Sequence, residues 1–248
     1  MLSAVEAAHL AAWEPIGGEK TSLAFIRKII RRTAYHEAAH TAARMFTGHE
    51  AAHVVMVSIL PDAATDTLGR ERMERAISEP YLASYPDQIK QACGRCLLLG
   101  MLAGRAAEAR LDDSRDRFAD EVTWRECESW EDEGTDFFRA ARIAEIMARP
   151  GVPAHRVLRL AASWTVEMLD VPEVWETVEQ LASVLIVRGE IADPDELFGA
   201  CEAIRNMAFR LPKWRRRLRL RHDARRSSEV ANRKAGAGSG RMRKRRSK

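Results

Sequence analysis

Residues 21–48 read TSLAFIRKIIRRTAYHEAAHTAARMFTG. Helical spacing runs from about Thr21 to Phe46, as one helix or two, and Gly48 suits a left-handed cap at its end. Inside this stretch His36-Glu37-Ala38-Ala39-His40 has the form H-E-x-x-H. On a helix, residues four apart share a face, so both imidazoles can turn toward one ion. Neutral imidazole suits zinc, and a catalytic zinc keeps three protein ligands and one open position. Glu37, one residue past the first ligand, is placed to take a proton from the water that such a metal activates and to return it to a leaving amine. With this content of His and Glu, chance supplies only about 0.02 such patterns per chain of this length. The bland alternative is a helix carrying two surface histidines.

A third ligand has to come from outside the motif. Ala43 stands where the longer H-E-x-x-H-x-x-G-x-x-H pattern has its glycine, and no histidine lies six residues after His40. His49 and His53 are close in sequence but fall past the end of the helix. An acidic side chain at the start of a later helix is the remaining source. Asp136 is the best placed, although spacing alone does not choose it over Asp132 or Glu133.

Hydropathy patterning around this segment gives a mainly α chain with one small β element. Residues 1–13 are Ala-rich and helix-prone, stopped by Pro15-Ile16-Gly17-Gly18. His53 to Leu60 is β-branched, bounded by Pro61, and reads as a strand. Residues 61–86 read as irregular. Asp87 to about Leu111 has helical spacing, and residues 112–134 are acidic and polar, with Trp124 and Trp130 as packing anchors. Gly134-Thr135-Asp136 opens another helix that Pro150-Gly151-Val152-Pro153 stops. Further helical segments follow at about His155–Leu169, Val171–Arg188 and Asp195–Phe209. Cys93-Gly94-Arg95-Cys96 lies inside an apolar helix without a second Cys pair, so it reads as core, as do Trp164 and Trp175. The resulting division is a helical lead-in over 1–20, the site-bearing domain over 21–212, and a basic tail over 213–248, with disorder expected after about residue 225.

The net charge of +4 conceals a division of sign. Residues 213–248 carry 16 Lys or Arg against Asp223 and Glu229, whereas the rest of the chain holds 24 basic and 34 acidic side chains. Such a tail either binds nucleic acid or an acidic partner, or stays solvated and touches the acidic body of its own chain. The longest apolar run, Cys96 to Ala103, falls well short of the roughly 20 residues of a membrane span. The first residues lack the pattern of a secretory signal, and four cysteines at irregular spacing form no disulfide framework. A reducing, cytoplasmic setting is the expectation.

Tyr35-His36-Glu37-Ala38-Ala39-His40 resembles the Tyr-His-Glu-Ala-Gly-His signature of the FtsH-type zinc metalloproteases. The likeness continues in order along roughly residues 30–200. Val54–Leu60, with Pro61 and Leu68-Gly69, resembles the stretch after the family's zinc helix. Leu102-Ala103-Gly104-Arg105-Ala106-Ala107-Glu108 resembles its Gly-Gly-Arg-Ala-Ala-Glu-Glu helix. Gly134 to Ala140 resembles the segment bearing its third ligand, an aspartate, and Val174-Trp175 through Glu190-Ile191 its C-terminal helix. Ala39, Ala103 and Ala109 depart from the family residues, and the span from His40 to Asp136 implies an insertion around 112–132.

The resemblance implies an FtsH-like zinc peptidase domain with His36, His40 and Asp136 as metal ligands and Glu37 as general base. It implies a polypeptide substrate and allows a homo-oligomer. These 248 residues show neither the family's ATPase module nor a membrane anchor. The expectation is therefore cleavage of flexible or unfolded segments, alone or with a separate ATPase as unfoldase partner. Two rival readings remain at this point. One is a retired peptidase scaffold that binds nucleic acid or an acidic partner through its tail; the other is a zinc hydrolase with a non-peptide substrate.

Overall fold

The motif-bearing stretch forms one helix, α2 (Leu23–Thr47), preceded by α1 (Ala4–Trp13). The structure, a computed structural model, describes residues 2–13, 22–49, 53–62, 69–74, 77–114, 118 and 135–218. Ser22 caps α2, its hydroxyl accepting from the Phe25 amide at 3.2 Å, and Gly48 ends it at φ 64°. A glycine is needed there for backbone and for space, since a Cβ would land 1.8 Å from Asn206 Oδ1. From Glu37 to Thr47 every side chain of α2 is buried. A helix covered all round sits at the centre of a fold. Ala38, Ala39, Ala42 and Ala43 let its neighbours approach closely.

The chain continues through β1 (Val54–Ser58), β2 (Arg70–Met73), α3 (Glu79–Ser84), α4 (Asp87–Leu111), α5 (Asp136–Met147), α6 (Ala154–Leu169), α7 (Pro172–Arg188), β3 (Glu190–Ile191), α8 (Pro194–Ala200), α9 (Met207–Arg210) and α10 (Pro212–Leu218). Helices α4 and α7 flank α2, and α5 and α6 pack on α4. Leu98, Leu99 and Leu102 of α4, Leu158 and Met168 of α6 and Leu181 of α7 fill the space between them. The strands form one antiparallel sheet in the order β2-β1-β3, with Val57 opposite both Glu71 and Ile191. A bulge interrupts the β1–β2 register between Val54 and Met56. One side of β2 is therefore a sheet edge. Helix α1 docks through Val5 and through His9, whose Nε2–H donates to the Ile59 carbonyl at 2.8 Å.

The mainly helical reading with one small β element holds, and three local expectations need correction. Within 61–86, read as irregular, β2 and α3 are regular elements. Arg70-Glu71-Arg72-Met73 has no strand composition, and its pairing with β1 supplies the order. The helix read over Val171–Arg188 is α7, ended by Gly189 at φ 84°, whereas Glu190-Ile191, which the resemblance counted with the C-terminal helix, pairs with β1 instead. The helix expected over Asp195–Phe209 is broken: α8 ends at Ala200, turns follow over 201–206, and Asn206 adopts φ 58° and sends its amide to the Met45 carbonyl at 2.9 Å. A left-handed residue cannot continue a right-handed helix.

The basic tail read from residue 213 opens in the helix α10, and the disorder expected after about residue 225 falls outside the described residues. Trp214 of α10 is buried edge-on against Phe46, with ring centroids 5.3 Å apart, and Arg217 pairs with Glu167 at 2.9 Å. Lys213 pairs with the same carboxylate. The first basic residues thus do touch the acidic body. Trp124, Trp130, Asp132, Glu133 and residues 219–248 lie outside the described residues. Among the described residues, no helix is long and apolar enough to cross a membrane.

Candidate metal centre

His36 and His40 lie one helical turn apart on α2, with ring centroids 4.6 Å apart and planes at 72°. Asp136 meets them from the first turn of α5. Thr135 caps that helix by accepting from the Phe138 amide at 3.2 Å, which sets Asp136 at the helix start, where the backbone dipole favours a carboxylate. Asp136 Oδ2 lies 2.9 Å from His40 Nε2 and 3.4 Å from His36 Nε2. The three ligand atoms all fall within 4.8 Å of one another. A tetrahedral zinc with bonds of about 2.0–2.1 Å needs ligand atoms about 3.3 Å apart. Both distances from Asp136 are close to that spacing.

The far side of each imidazole is fixed as well. His40 Nδ1–H donates to the Gly100 carbonyl at 2.6 Å. His36 Nδ1–H donates to Glu108 Oε1 at 2.6 Å. Both Nε2 lone pairs can therefore face a cation, and a carboxylate behind a ligating imidazole raises its basicity. Glu108 is itself anchored: Arg32 reaches its Oε2 at 2.8 and 2.5 Å, and Arg105 at 2.7 Å. Gly104 makes the ring's position possible, because a Cβ there would stand 2.5 Å from His36 Nε2.

The electrostatics favour a cation at this point. Burial pulls the His36 pKa down, but hydrogen bonds to Asp136 and Glu108 prevail and raise it to about 10. His40 is also raised, the charge of Asp136 outweighing burial. Burial pushes Asp136 up, yet the charge of His40 and the hydrogen bonds of both imidazoles hold it far below the usual carboxylate range. Glu108, pushed up by burial, is drawn down to about 2 by His36, Arg32 and Arg105. The residues alone favour protons on imidazoles held between carboxylates, and a divalent ion would take the place of those protons. Donor types, spacing and charge all fit zinc.

Glu37 lies on the adjoining stripe of α2, mostly buried, with its carboxylate against Gly69 just ahead of β2. Among the described residues it accepts no hydrogen bond. Burial pushes its pKa up, the two imidazoles oppose this, and the carboxylates of Asp136 and Glu71 add to the rise.

All four residues singled out by sequence, His36, Glu37, His40 and Asp136, meet in one place. His49 and His53 are not part of the ligand group. Cys93 and Cys96 form no disulfide among the described residues and are packed in or against the core. No protein-family model matches the chain, and no curated protein matches it either. Sequence reading missed the roles of Glu108, Arg32, Gly100, Gly104 and Gly69. Gly69, Gly104 and Glu108 stood in motifs that carried the resemblance, and nothing in their spacing tied them to Glu37 or His36.

Proposed function

We propose that this chain is an FtsH-like zinc metalloendopeptidase that cleaves peptide bonds in unfolded or flexible protein segments. His36, His40 and Asp136 would hold the metal and Glu37 would act as general base. The observation that carries this reading is the convergence of His36 Nε2, His40 Nε2 and Asp136 Oδ2 beside the mostly buried Glu37 carboxylate, to which no donor bonds among the described residues. Zinc held there supplies a Lewis acid for the scissile carbonyl and lowers the pKa of water toward about 7.

The protein's own part is positioning and proton transfer. Gly100 and Glu108 fix the tautomers of His40 and His36, so that neither ring turns away. Glu37 takes the proton of the attacking water and delivers it to the amine that leaves. Its mostly buried setting keeps its basicity above that of an exposed glutamate. A scaffold that only bound a partner would have no chemical need for a carboxylate between the two histidines.

Glu37→Gln separates metal binding from chemistry. The variant should keep its zinc and lose cleavage of an unstructured fluorogenic peptide or casein by at least about a thousandfold. Cleavage at the rate of the unaltered protein would refute the mechanism. Zinc retained in a protein that cuts no peptide, but hydrolyses another ester or amide with the same dependence on Glu37, would move the reading to a non-peptide hydrolase.

A further inference from the structure

Glu37, Thr41 and Arg44 form a stripe at i, i+4 and i+7 of α2, next to the stripe that carries His36 and His40. Strand β2 and the residue before it lie along this stripe. Gly69 covers Glu37 so closely that a Cβ would stand 2.9 Å from Glu37 Oε1 and 2.7 Å from Thr33 Cγ2. Two residues on, and so on the same face, Glu71 reaches inward between Thr41 and Arg44. Arg44 Nε donates to Glu71 Oε2 at 2.5 Å and Thr41 Oγ1 donates to Oε1 at 3.1 Å. Both charged side chains are almost wholly buried, at 8% and 6% exposure. The Arg44 guanidinium also lies under Gly100, whose carbonyl holds His40.

We propose that Glu71, gripped by Arg44 and Thr41, is a positioning residue that pins the register of β2 and so fixes the Gly69 backbone against the Glu37 carboxylate. The inference rests on the peptidase reading of the centre. Strand β2 has four residues, an exposed face made of Arg70 and Arg72, and a bulge in the one pairing it makes among the described residues, with β1. Hydrophobic patterning cannot hold such a strand in place. Charge can. A slip of one residue in either direction would bring Arg70 or Arg72 to face the buried Arg44 and would turn Glu71 out to solvent. A buried ion pair adds little net stability over an apolar pair of equal size, and registry is its best-supported use.

The test uses the full chain loaded with zinc. For Glu71→Gln, kcat on an unstructured peptide should fall about tenfold to a hundredfold, as expected for a displaced reacting group. KM and zinc affinity should each stay within about threefold. Hydrogen exchange at residues 69–73 should quicken while α2 keeps its protection. The double variant Arg44→Met/Glu71→Leu, which fills the volume without charge, should recover the thermal midpoint and fail to recover kcat. A Glu71→Gln protein with unaltered kcat would overturn the proposal. So would activity lost only in step with zinc, or a double variant that regains kcat together with its midpoint. If the unaltered protein cleaves no peptide, the peptidase reading fails by itself, and unchanged exchange at 69–73 in Glu71→Gln still refutes the pinning of β2.

Discussion

His36 is held from both sides. Its Nδ1–H points at Glu108, and its Nε2 shares Asp136 with His40. Removing the charge behind it, as Glu108→Gln, should weaken zinc binding about tenfold to a hundredfold, measured by competition against a chromophoric chelator. The same pair predicts a pH dependence. A pKa raised from 6.5 to about 10 means that the carboxylate pairing stabilises the zinc-free fold fully below pH 6.5, and that this contribution fades as pH climbs through about 10. Zinc has to displace that proton. Apparent zinc affinity should therefore keep rising, about tenfold per pH unit for each proton displaced, well above pH 7.5. Ordinary histidines would give a plateau there. The histidines and Glu37 were legible because their spacing is the chemistry. Glu108 was not, because what ties it to His36 is the packing of two helices.

Helix α4 is built to come close to α2. Gly104 faces His36 with no room for a methyl group, and Gly100 turns its carbonyl to His40. An Ala in place of Gly inside a helix ordinarily stabilises by about 0.5–1 kcal/mol. Gly104→Ala should instead cost at least about tenfold in zinc affinity by pushing the imidazole aside, with the helix content of the protein intact by circular dichroism. Most helix limits could be read from sequence, since proline, glycine and the apolar period mark them locally. Asp87–Leu111 is the clearest case. Strands β2 and β3 could not. Arg70-Glu71-Arg72-Met73 and Glu190-Ile191 are strands only because β1 lies between them. Asn206 broke an apolar period for a reason equally distant in the chain: its amide serves Met45.

At the scale of the molecule, one central helix brings His36 and His40 to Asp136 of α5 and to Gly100 and Glu108 of α4, and Glu37 to Gly69 just ahead of β2. The division of charge between an acidic body and a basic tail is not a clean boundary, because α10 folds back with Trp214 on Phe46 and Arg217 on Glu167. Phe46 belongs to the same helix as His36 and His40, so this docking braces the candidate centre from its far end. Trp214→Ala should lower the stability of the whole fold by about 3 kcal/mol, visible as a shift of a single denaturation midpoint. A transition confined to the C-terminal helix would show that α10 is an appendage.

Zinc coordination itself is accessible to X-ray absorption at the metal's edge, on full-length protein supplied with zinc and then freed of excess. One tightly bound ion per chain is expected, with two imidazole nitrogens and a carboxylate oxygen in its shell at about 2.0–2.1 Å. That shell should be lost in His40→Ala. Protein that stays metal-free after zinc is supplied, or zinc found in a sulfur shell from the cysteines, would contradict the assignment of His36, His40 and Asp136 as the metal centre.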